Sequence, residues 1–453
     1  MDDNIYNNPN LVKPKKVLDI NDLNYLLRNS SNTSVVKSKL GHKSNILNKE
    51  VNPKHVLYLY HNNYISQVNE LKSFRETETG GGYSVFLEQI NPELHDFNYV
   101  RQKIIQYYNN RQIKYVVIFG SKEEVPTIML DLPSDWEDST FLNKNSTSAS
   151  SDIYYGHFDN KEYKVIVGRL SPGDNKYSYF GSSSELSTET KKQNIQNQID
   201  KIKQYETFGQ NLSKRNSLQS SETWTKKIIG IASNEGGSDY GIDGLSDNVY
   251  MRQELEKFRT RLNCQYSELY DSYSNSGHIG NPSTIQNNIN YDKWGNPSTI
   301  DFINKVNDGT SLLLYVGHAN ETQISTTNFS VLNSEHLSNT NKYFLGCVVG
   351  CSIGSHDEDY MSLAEALQVS PEKGSIAMFS SSILQSWTAP MYMQRQMNDV
   401  ITQTNKTLTI GDIFEKSVEN DDFKNNVDYY YYHLLGDPCT RFILTIPNVK
   451  RHF

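Results

Sequence analysis

Two stretches in the second half of the chain, SLLLYVGHAN (residues 311–320) and KYFLGCVVGCSIGSHD (residues 342–357), decide the fold. Each begins with a short apolar run that breaks at a glycine, directly before His318 in the first stretch and directly before Cys351 in the second. Apolar runs of this length are typical of strands buried on both faces, as in a parallel sheet covered by helices. The two stretches therefore predict buried strands that end at a histidine and at a cysteine.

Similar apolar runs recur along the chain and alternate with amphipathic segments of helical period. The predicted strands are His55–Tyr60, Tyr83–Ile90, Ile113–Gly120, Tyr163–Leu170, Lys226–Ser233, Leu312–Val316, Tyr343–Val349, Lys373–Ser381 and Phe442–Ile446. The predicted helices are Ile65–Arg75, Tyr99–Asn109, Thr188–Tyr205, Asn248–Leu262, Thr299–Val306, Met361–Val369 and Pro390–Thr402. This alternation predicts an α/β fold with mainly parallel sheets flanked by helices.

A chain of 453 residues is longer than one ordinary hydrophobic core supports. Residues 1–50 are rich in Asn, Ser and Lys, and we interpret them as a polar N-terminal arm or a pro-like segment. We predict an N-terminal α/β subdomain over residues 51–205 and a catalytic α/β subdomain over residues 206–453. The helix Thr188–Tyr205 is expected to link the two.

Composition excludes several classes of function. A net charge of −8 argues against a nucleic-acid-binding protein, which normally has a basic face. No apolar run approaches 18 residues, and the N-terminus lacks the apolar segment of a secretion signal, so we expect an intracellular protein without a membrane span. The four cysteines are too few for a disulfide framework, and no CxxC pair occurs, so we expect neither a disulfide scaffold nor a zinc site.

Cys351 and His318 are the types of residue that nucleophilic catalysis requires. An imidazole can take the proton of a thiol, and the thiolate then attacks an acyl carbon. Cys347 lies inside the predicted strand and is interpreted as an inert core residue. Cys351 follows the strand, between Gly350 and Gly354, where a sharp turn would expose its sulfur. We therefore predict Cys351 as the nucleophile and His318 as its base.

Three further residues follow predicted strands or loops near this pair. Glu235 could orient the ring of His318, or it could be a solvated loop carboxylate. Asp247 could be the anion of a pocket for a basic side chain, or simply the N-cap of the helix that follows. Trp387 lies in a polar loop and is interpreted as a wall of a substrate pocket. The backbone N–H groups of Ala319 and Cys351 are the expected oxyanion donors.

Five segments together resemble the gingipain family of caspase-like cysteine peptidases. They are IASNEGGSDYGIDGLSD (231–247), LYVGHANET (314–322), GCSIG (350–354), SSILQSWTAPMYMQRQMNDV (381–400) and HLLGDP (433–438). The resemblance implies a caspase-like fold of two subdomains. It also implies that His318 and Cys351 are the catalytic pair and that Glu235 is the acid that contacts the histidine. Asp247 is similar to the aspartate that selects Arg at P1, and Trp387 to the tryptophan that covers that pocket.

The chain departs from the family in two places. Ala319 stands where the family usually has the second glycine of a Gly-His-Gly motif. The family's usual VGD-like motif is replaced by Phe119-Gly120-Ser121, so the sequence does not support the calcium site known in that region, and we expect no required cofactor.

These observations predict a cysteine endopeptidase that cleaves peptides or proteins after Arg, with Lys less favoured. The alternative is a catalytically inactive peptidase-fold protein with a structural or binding role in a larger assembly. Self-processing is a further hypothesis, with the basic pair Lys214-Arg215 and the basic segment Lys13–Lys16 as candidate sites.

Overall fold

The computed structural model describes residues 51–132, 148–158, 163–176, 184–215, 217–237, 241–271, 278–282 and 289–446. Its nine α-helices over these residues are α1 Ile65–Arg75, α2 Phe97–Arg111, α3 Thr188–Ser213, α4 Asp247–Leu262, α5 Thr299–Asn307, α6 Leu363–Val369, α7 Thr388–Gln403, α8 Ile410–Val418 and α9 Asp421–Lys424. The predicted arm at residues 1–50 lies outside the described residues.

In the described residues the strands form one large sheet and three small ones. In chain order they are β1 Asn52–His61, β2 Ser84–Ile90, β3 Ile113–Phe119, β4 Met129–Asp131, β5 Ser148–Ser150, β6 Ile166–Leu170, β7 Asn175–Lys176, β8 Ser184–Glu185, β9 Lys227–Ala232, β10 Gln265–Tyr270, β11 His278–Pro282, β12 Ile289–Trp294, β13 Leu312–Val316, β14 Ala319–Asn320, β15 Gln323–Ile324, β16 Phe329–Ser330, β17 Phe344–Val349, β18 Ser375–Ser381 and β19 Tyr432–Leu435.

The large sheet has 12 strands in the order β12-β11-β10-β9-β13-β17-β18-β19-β6-β3-β1-β2. Strands β10, β9, β13, β17 and β18 are mutually parallel, and so are β19, β6, β3, β1 and β2. Between these groups, β18 pairs with β19 in antiparallel fashion. The carboxyl ends of these two parallel groups therefore lie at opposite edges of the sheet. At the far end of the sheet, β11 and β12 also pair in antiparallel fashion.

Apolar side chains alternate between the two faces of the sheet. One hydrophobic cluster extends over one face of the sheet from β2 to β10 and includes Val56, Leu314 and Cys347. The opposite face has two separate clusters: one packs α2 on the strands of the first half, and the other packs α5 and α6 on those of the second half. The predicted α/β architecture with helices on both faces is thereby confirmed. In the described residues, none of the helices has the length and apolar character that crossing a bilayer requires.

The predicted division at residue 205 is compatible with the order of the strands. Strands β1, β2, β3 and β6 all lie within residues 51–205, and β9 to β19 all follow it. The linking helix continues past the predicted end, to Ser213. The two subdomains nevertheless share one continuous sheet, because β19 from the second half pairs with β6 from the first. The boundary itself stays a prediction.

Several local sequence interpretations differ from the structure, which also has helices α8 and α9 where none is predicted. The predicted strand Phe442–Ile446 is wrong: Ile443–Thr445 is a 3₁₀ helix, closed by a hydrogen bond from Ile446 N to Ile443 O. The run is apolar because the core buries it, and not because it lies in a sheet. Strand β10 lies in a segment where the sequence predicts no element, and so does β19, in the Tyr-rich run before Gly436.

Candidate active site

Four loops leave the same edge of the sheet and carry the residues of the site. Strands β9, β13, β17 and β18 are parallel neighbours, so their carboxyl ends lie together. Glu235 follows β9, His318 follows β13, Cys351 follows β17, and Gln385-Ser386-Trp387 follows β18. This edge is where α/β sheets commonly bind ligands. The structure thus collects the four predicted loops in one place.

His318 is held on both its side chain and its backbone. Its Nε2 lies 3.0 Å from Oε2 of Glu235. Its carbonyl oxygen accepts hydrogen bonds from the hydroxyl of Tyr315 at 2.5 Å and from Ser325 N at 2.9 Å. Burial lowers the pKa of His318, but the hydrogen bond and the charge of Glu235 raise it by more, so the pKa lies above its usual value. Of the two readings of Glu235, the geometry favours a carboxylate that orients the histidine.

Cys351 is presented by a turn with a strained backbone. The residue after it, Ser352, has φ +57°, a left-handed conformation that costs a non-glycine residue about 1 kcal/mol or more. The turn is held by hydrogen bonds from Ser352 N to Ile383 O (2.9 Å) and from Gly354 N to Ser381 O (2.8 Å). Both acceptors belong to β18 or to the loop after it, so the neighbouring strand fixes the turn that carries Cys351.

The thiol of Cys351 is half-buried and protonated at neutral pH. Burial raises its pKa to about 11, and a backbone hydrogen bond from Gln385 partly opposes this increase. Deprotonation therefore requires a base in the site rather than spontaneous ionisation.

The turns after β13 and β17 lie directly against each other. Val316 and Val349 are partners in the parallel ladder, and His318 and Cys351 each lie two residues beyond their strand. Gly317 N donates a hydrogen bond to Val349 O at 3.1 Å. A Cβ atom at Gly350 would lie only 3.0 Å from Cβ of Ala319, so close packing of the two turns excludes a larger side chain there. The histidine and the cysteine thus occupy equivalent positions on adjacent strands.

Asp247 and Trp387 lie beside this pair. The indole Nε1 of Trp387 donates to Oδ1 of Asp247 at 3.0 Å, and the hydroxyl of Ser233 donates to Oδ2 at 2.5 Å. The ring of Trp387 also meets the ring of His318 edge-on, with centroids 5.1 Å apart. Burial raises the pKa of Asp247 to about 7, although the hydrogen bonds from Ser233 and Trp387 lower it. The N-cap of α4 is Ser246, so Asp247 is not the cap residue.

Ala319 begins the short strand β14 and lies opposite Ile324. The hydrogen bond from Ser325 N to His318 O identifies this as a pair that exchanges no hydrogen bonds of its own, so the ladder does not use the N–H of Ala319. This leaves the N–H available for the predicted oxyanion interaction. That role, like the catalytic and substrate-binding roles of the other residues, stays a prediction.

Sequence analysis missed three polar residues that shape the site. Ser233 donates the hydrogen bond to Oδ2 of Asp247. Asp271 follows the missed strand β10, and burial raises its pKa to about 6. Asp428 is fully buried and accepts hydrogen bonds from the backbone N of Ser386 at 3.0 Å and from its hydroxyl. The sequence has one signal for Asp428, which is its position directly before four consecutive tyrosines. A carboxylate buried beside such an aromatic run needs hydrogen-bond partners.

The chain matches a known family over most of its length. Residues 49–177 and 186–443 match the sequence profile of Peptidase family C25. Gingipain R2 of Porphyromonas gingivalis (strain ATCC BAA-308 / W83) is 24% identical over 314 residues, which cover 68% of this chain and 34% of gingipain R2. Gingipain R1 of Porphyromonas gingivalis has the same identity over 314 residues, 25% of its length. The chain therefore spans about a third or less of these relatives.

Solved structures confirm the predicted caspase-like fold. The crystal structure of the Arg-specific cysteine proteinase gingipain R (RgpB) superposes with a TM-score of 0.63 at 20% identity, and covers 88% of this chain and 80% of that one. The complex of the Porphyromonas gingivalis RgpB pro- and mature domains gives a TM-score of 0.64 at 20% identity, over 85% of this chain and 79% of that one. Because both the family profile and the fold extend over most of residues 49–443, the chain belongs to peptidase family C25, the gingipain family of caspase-like cysteine peptidases.

Proposed function

We propose that this chain is a cysteine endopeptidase that cleaves peptide bonds after a basic residue, with Arg favoured over Lys. One observation carries the proposal: Cys351 and a His318 that is bound to Glu235 follow adjacent parallel strands at equivalent positions. A thiol and an oriented imidazole at one edge of a sheet supply the nucleophile and the base of acyl transfer. Membership in family C25 supports the same class of reaction.

The first half of the reaction forms an acyl-enzyme. His318 takes the proton of Cys351 as the sulfur attacks the scissile carbonyl carbon, since the thiol is not ionised beforehand. The negative charge that develops on the carbonyl oxygen is received by the N–H groups of Ala319 and Cys351. The tetrahedral intermediate collapses when the C–N bond breaks, and the imidazolium gives its proton to the leaving amine.

The second half regenerates the enzyme. Water attacks the thioester carbon while neutral His318 takes one of its protons. When the C–S bond breaks, the imidazolium gives this proton to the sulfur and restores the thiol of Cys351. Glu235 stabilises the imidazolium in both halves, because its carboxylate lies 3.0 Å from the ring nitrogen. The sequence of steps uses only side chains and backbone groups of the chain, and no cofactor.

Asp247 is the proposed partner of the P1 side chain. One donor already occupies each of its two oxygens, which leaves one lone pair on each for two parallel N–H bonds from a guanidinium fork. The carboxylate has no exposed surface, so a P1 side chain that reaches it must lose its water. A guanidinium loses hydration more easily than an ammonium, and this favours Arg over Lys. Because Asp247 is covered, binding also requires the covering groups, among them Trp387, to move aside.

An active-site probe tests the proposal directly. An arginyl chloromethylketone should add to Cys351, and peptide mapping by mass spectrometry identifies the modified residue. Cys351→Ala should give no adduct and no cleavage of an Arg-containing peptide, whereas Cys347→Ala, at the buried cysteine inside β17, should retain both. Cleavage by the Cys351→Ala protein would contradict the assignment of the nucleophile. A library that varies P1 then separates Arg from Lys and from neutral residues.

A second candidate function is peptide binding without cleavage. The high pKa of Cys351 and the closed position of Asp247 both favour it, because they describe a site that is not ready for chemistry. The probe distinguishes the two functions: a folded protein that binds an Arg peptide but forms no adduct under reducing conditions is a binding protein. The proposed partners in either case are peptides or proteins with basic residues.

Self-processing is proposed at Lys214-Arg215. Lys214 caps the C-terminus of α3 and both side chains are exposed, although Arg215 is paired with Glu222. The segment Lys13–Lys16 lies outside the described residues. Incubation of the wild-type protein beside Cys351→Ala, followed by intact mass measurement, should show fragments only for the wild type. Arg215→Gln should then remove the cut at this position without reducing cleavage of a peptide substrate.

A further inference from the structure

A second group of ionisable side chains lies away from the catalytic pair, at the seam between the two halves of the sheet. Asp152 comes from the first half, His356 from the segment after Cys351, and His433 from the middle of β19. All three are at least 95% buried, with exposures of 4%, 3% and 1%. One donor atom from each can be chosen so that all three atoms lie within 4.8 Å of one another.

The hydrogen bonds of His356 define which of its nitrogens has a lone pair. Its Nδ1 lies 3.3 Å from the carbonyl oxygen of Gly354, which can only accept, so Nδ1 carries the hydrogen. In the neutral ring Nε2 is then an acceptor, and it lies 3.4 Å from Oδ2 of Asp152, which is also an acceptor. Two lone pairs at this distance repel each other unless a cation lies between them.

The carboxylate of Asp152 has one position left for such a cation. Oδ1 accepts from Thr127 Oγ1 at 2.8 Å and from Arg169 Nη2 at 2.9 Å, which uses both of its lone pairs. Oδ2 accepts only one hydrogen bond in the described residues, from Arg169 Nε at 2.6 Å. Arg169 thus neutralises Asp152 and fixes its orientation, as partners of metal-binding carboxylates commonly do.

His433 supplies a third donor. Its ring meets that of His356 at right angles, with centroids 4.7 Å apart. Within the described part of the chain, Nε2 of His356 has no hydrogen-bond partner, and the ring of His433 lies beside a backbone group of Ser150. Buried polar atoms are nearly always satisfied, so one imidazole nitrogen from each ring and one oxygen of Asp152, gathered in one buried space, favour a ligand there.

We infer that Asp152, His356 and His433 bind a divalent transition metal ion of the zinc type. Two imidazoles and one carboxylate are a donor set that this class of ion prefers. Zinc bonds of about 2.0–2.2 Å hold tetrahedral donors about 3.4 Å apart, the present distance from His356 Nε2 to Asp152 Oδ2, and the other two distances would shorten by at most about 1.4 Å on binding. The positive charge of Arg169 weakens the site, and the two neutral imidazoles and the carboxylate offset it. A bound ion would tie the segment after Cys351 to both halves of the sheet.

Metal binding can be measured without reference to peptidase activity. The protein should carry Cys351→Ala, which removes the active-site thiol as a competing ligand, and it should be stripped with a chelator. We expect Co²⁺ to bind with a stoichiometry of one per chain and to give visible d–d absorption without a thiolate charge-transfer band. We expect Zn²⁺ to displace it and to raise the Tm.

Two ligand variants and one matched control define the site. His356→Gln and His433→Gln should each weaken Co²⁺ binding at least about tenfold. His336→Gln, at a histidine whose side chain is 61% exposed, should leave binding unchanged. Absence of Co²⁺ binding, or binding that neither ligand variant weakens, overturns the inference. If both ligand variants fail to fold, the Tm of the Cys351→Ala protein decides: no increase with Zn²⁺ overturns it as well.

Discussion

The indole nitrogen of Trp387 donates a 3.0 Å hydrogen bond to Asp247 while the edge of the same ring packs against His318, at a centroid distance of 5.1 Å. One side chain therefore touches both the proposed P1 anion and the proposed general base. Any movement of Trp387 therefore changes the environments of both groups together.

Asp247→Asn should lower kcat/KM for a substrate with Arg at P1 by about 100-fold, because a charge-assisted pair is replaced by a neutral one. The amide keeps the size of the side chain and can still accept from Trp387, so the fold should persist. Steady-state kinetics with matched Arg and citrulline peptides is the measurement. An equal loss for both peptides would show that Asp247 acts on structure and not on P1.

Trp387→Phe should move the acidic limb of kcat/KM for Arg substrates to higher pH. The indole hydrogen bond lowers the pKa of Asp247, which lies at about 7, and its loss raises that pKa. Since the anion binds the guanidinium, a higher pKa means that binding is lost at a higher pH. A profile between pH 5 and 9 measures the shift. An acidic limb at unchanged pH would show that the hydrogen bond from Trp387 does not affect P1 binding by Asp247.

Glu235→Gln should move the same limb in the opposite direction and lower the plateau about tenfold. Glu235 raises the pKa of His318, and His318 must be neutral to accept the proton of Cys351. Without the carboxylate the pKa falls, so the neutral form persists to lower pH, while the imidazolium of the transition state is less stable. Glu235 also raises the pKa of Asp247, so its removal lowers that pKa as well. Both pKa changes move the acidic limb to lower pH. A shift to higher pH would contradict this arrangement.

Asp428→Asn should stabilise the fold at pH 8 and have little effect at pH 4. Burial raises the pKa of Asp428 from its ordinary value of 3.8 to about 6, so the native state loses stability as the pH rises between these two values, and the full loss is present at pH 8. An asparagine can still accept from Ser386 N and donate to its hydroxyl. Thermal unfolding at the two pH values tests this prediction.

Asp428→Ala is the matched contrast. It leaves Ser386 N without its partner and frees the loop that carries Trp387, so kcat/KM should fall about tenfold while Asp428→Asn stays near wild type. Equal activity of the two variants would show that the anchoring of Ser386 does not position the site.

Ser352→Gly should raise the free energy of unfolding by about 0.5–1 kcal/mol, and Ser352→Val should lower it by about 2 kcal/mol. The left-handed φ of +57° is free of strain only for glycine and is worst for a β-branched residue. Urea titration provides both values. A stabilising effect of valine would exclude a left-handed backbone at this position.

How well the local sequence predicts an element depends on the environment of that segment. Strand β13 has the bounds predicted from its apolar run, Leu312–Val316, because burial on both faces leaves an unmistakable pattern. Strand β10, QYSELY, was missed because buried Glu268 is satisfied by Arg252 through two 2.8 Å hydrogen bonds that no local pattern reveals. Phe442–Ile446 was wrong for the opposite reason, since an apolar run records burial but not the type of element.

The same distinction holds for the site. His318, Cys351 and Glu235 follow strands directly, and parallel pairing alone brings their loops to one edge. The sequence also predicted a sharp turn near Cys351, but it attributed the turn to the flanking glycines, whereas the left-handed residue is Ser352. Ser233, Asp271 and Asp428 were missed because their positions depend on contacts between segments that are distant in the chain.

The reversal of the sheet at β19 has a consequence for synthesis of the protein. Residues 432–435 form the strand that joins β18 to β6, so a nascent chain exposes both of those edges until this late segment leaves the ribosome. Uncovered strand edges pair readily with other chains. Premature termination or proteolytic trimming upstream of Tyr432 would therefore leave β18 and β6 as unpaired edge strands, and the product would aggregate rather than fold as a shortened peptidase.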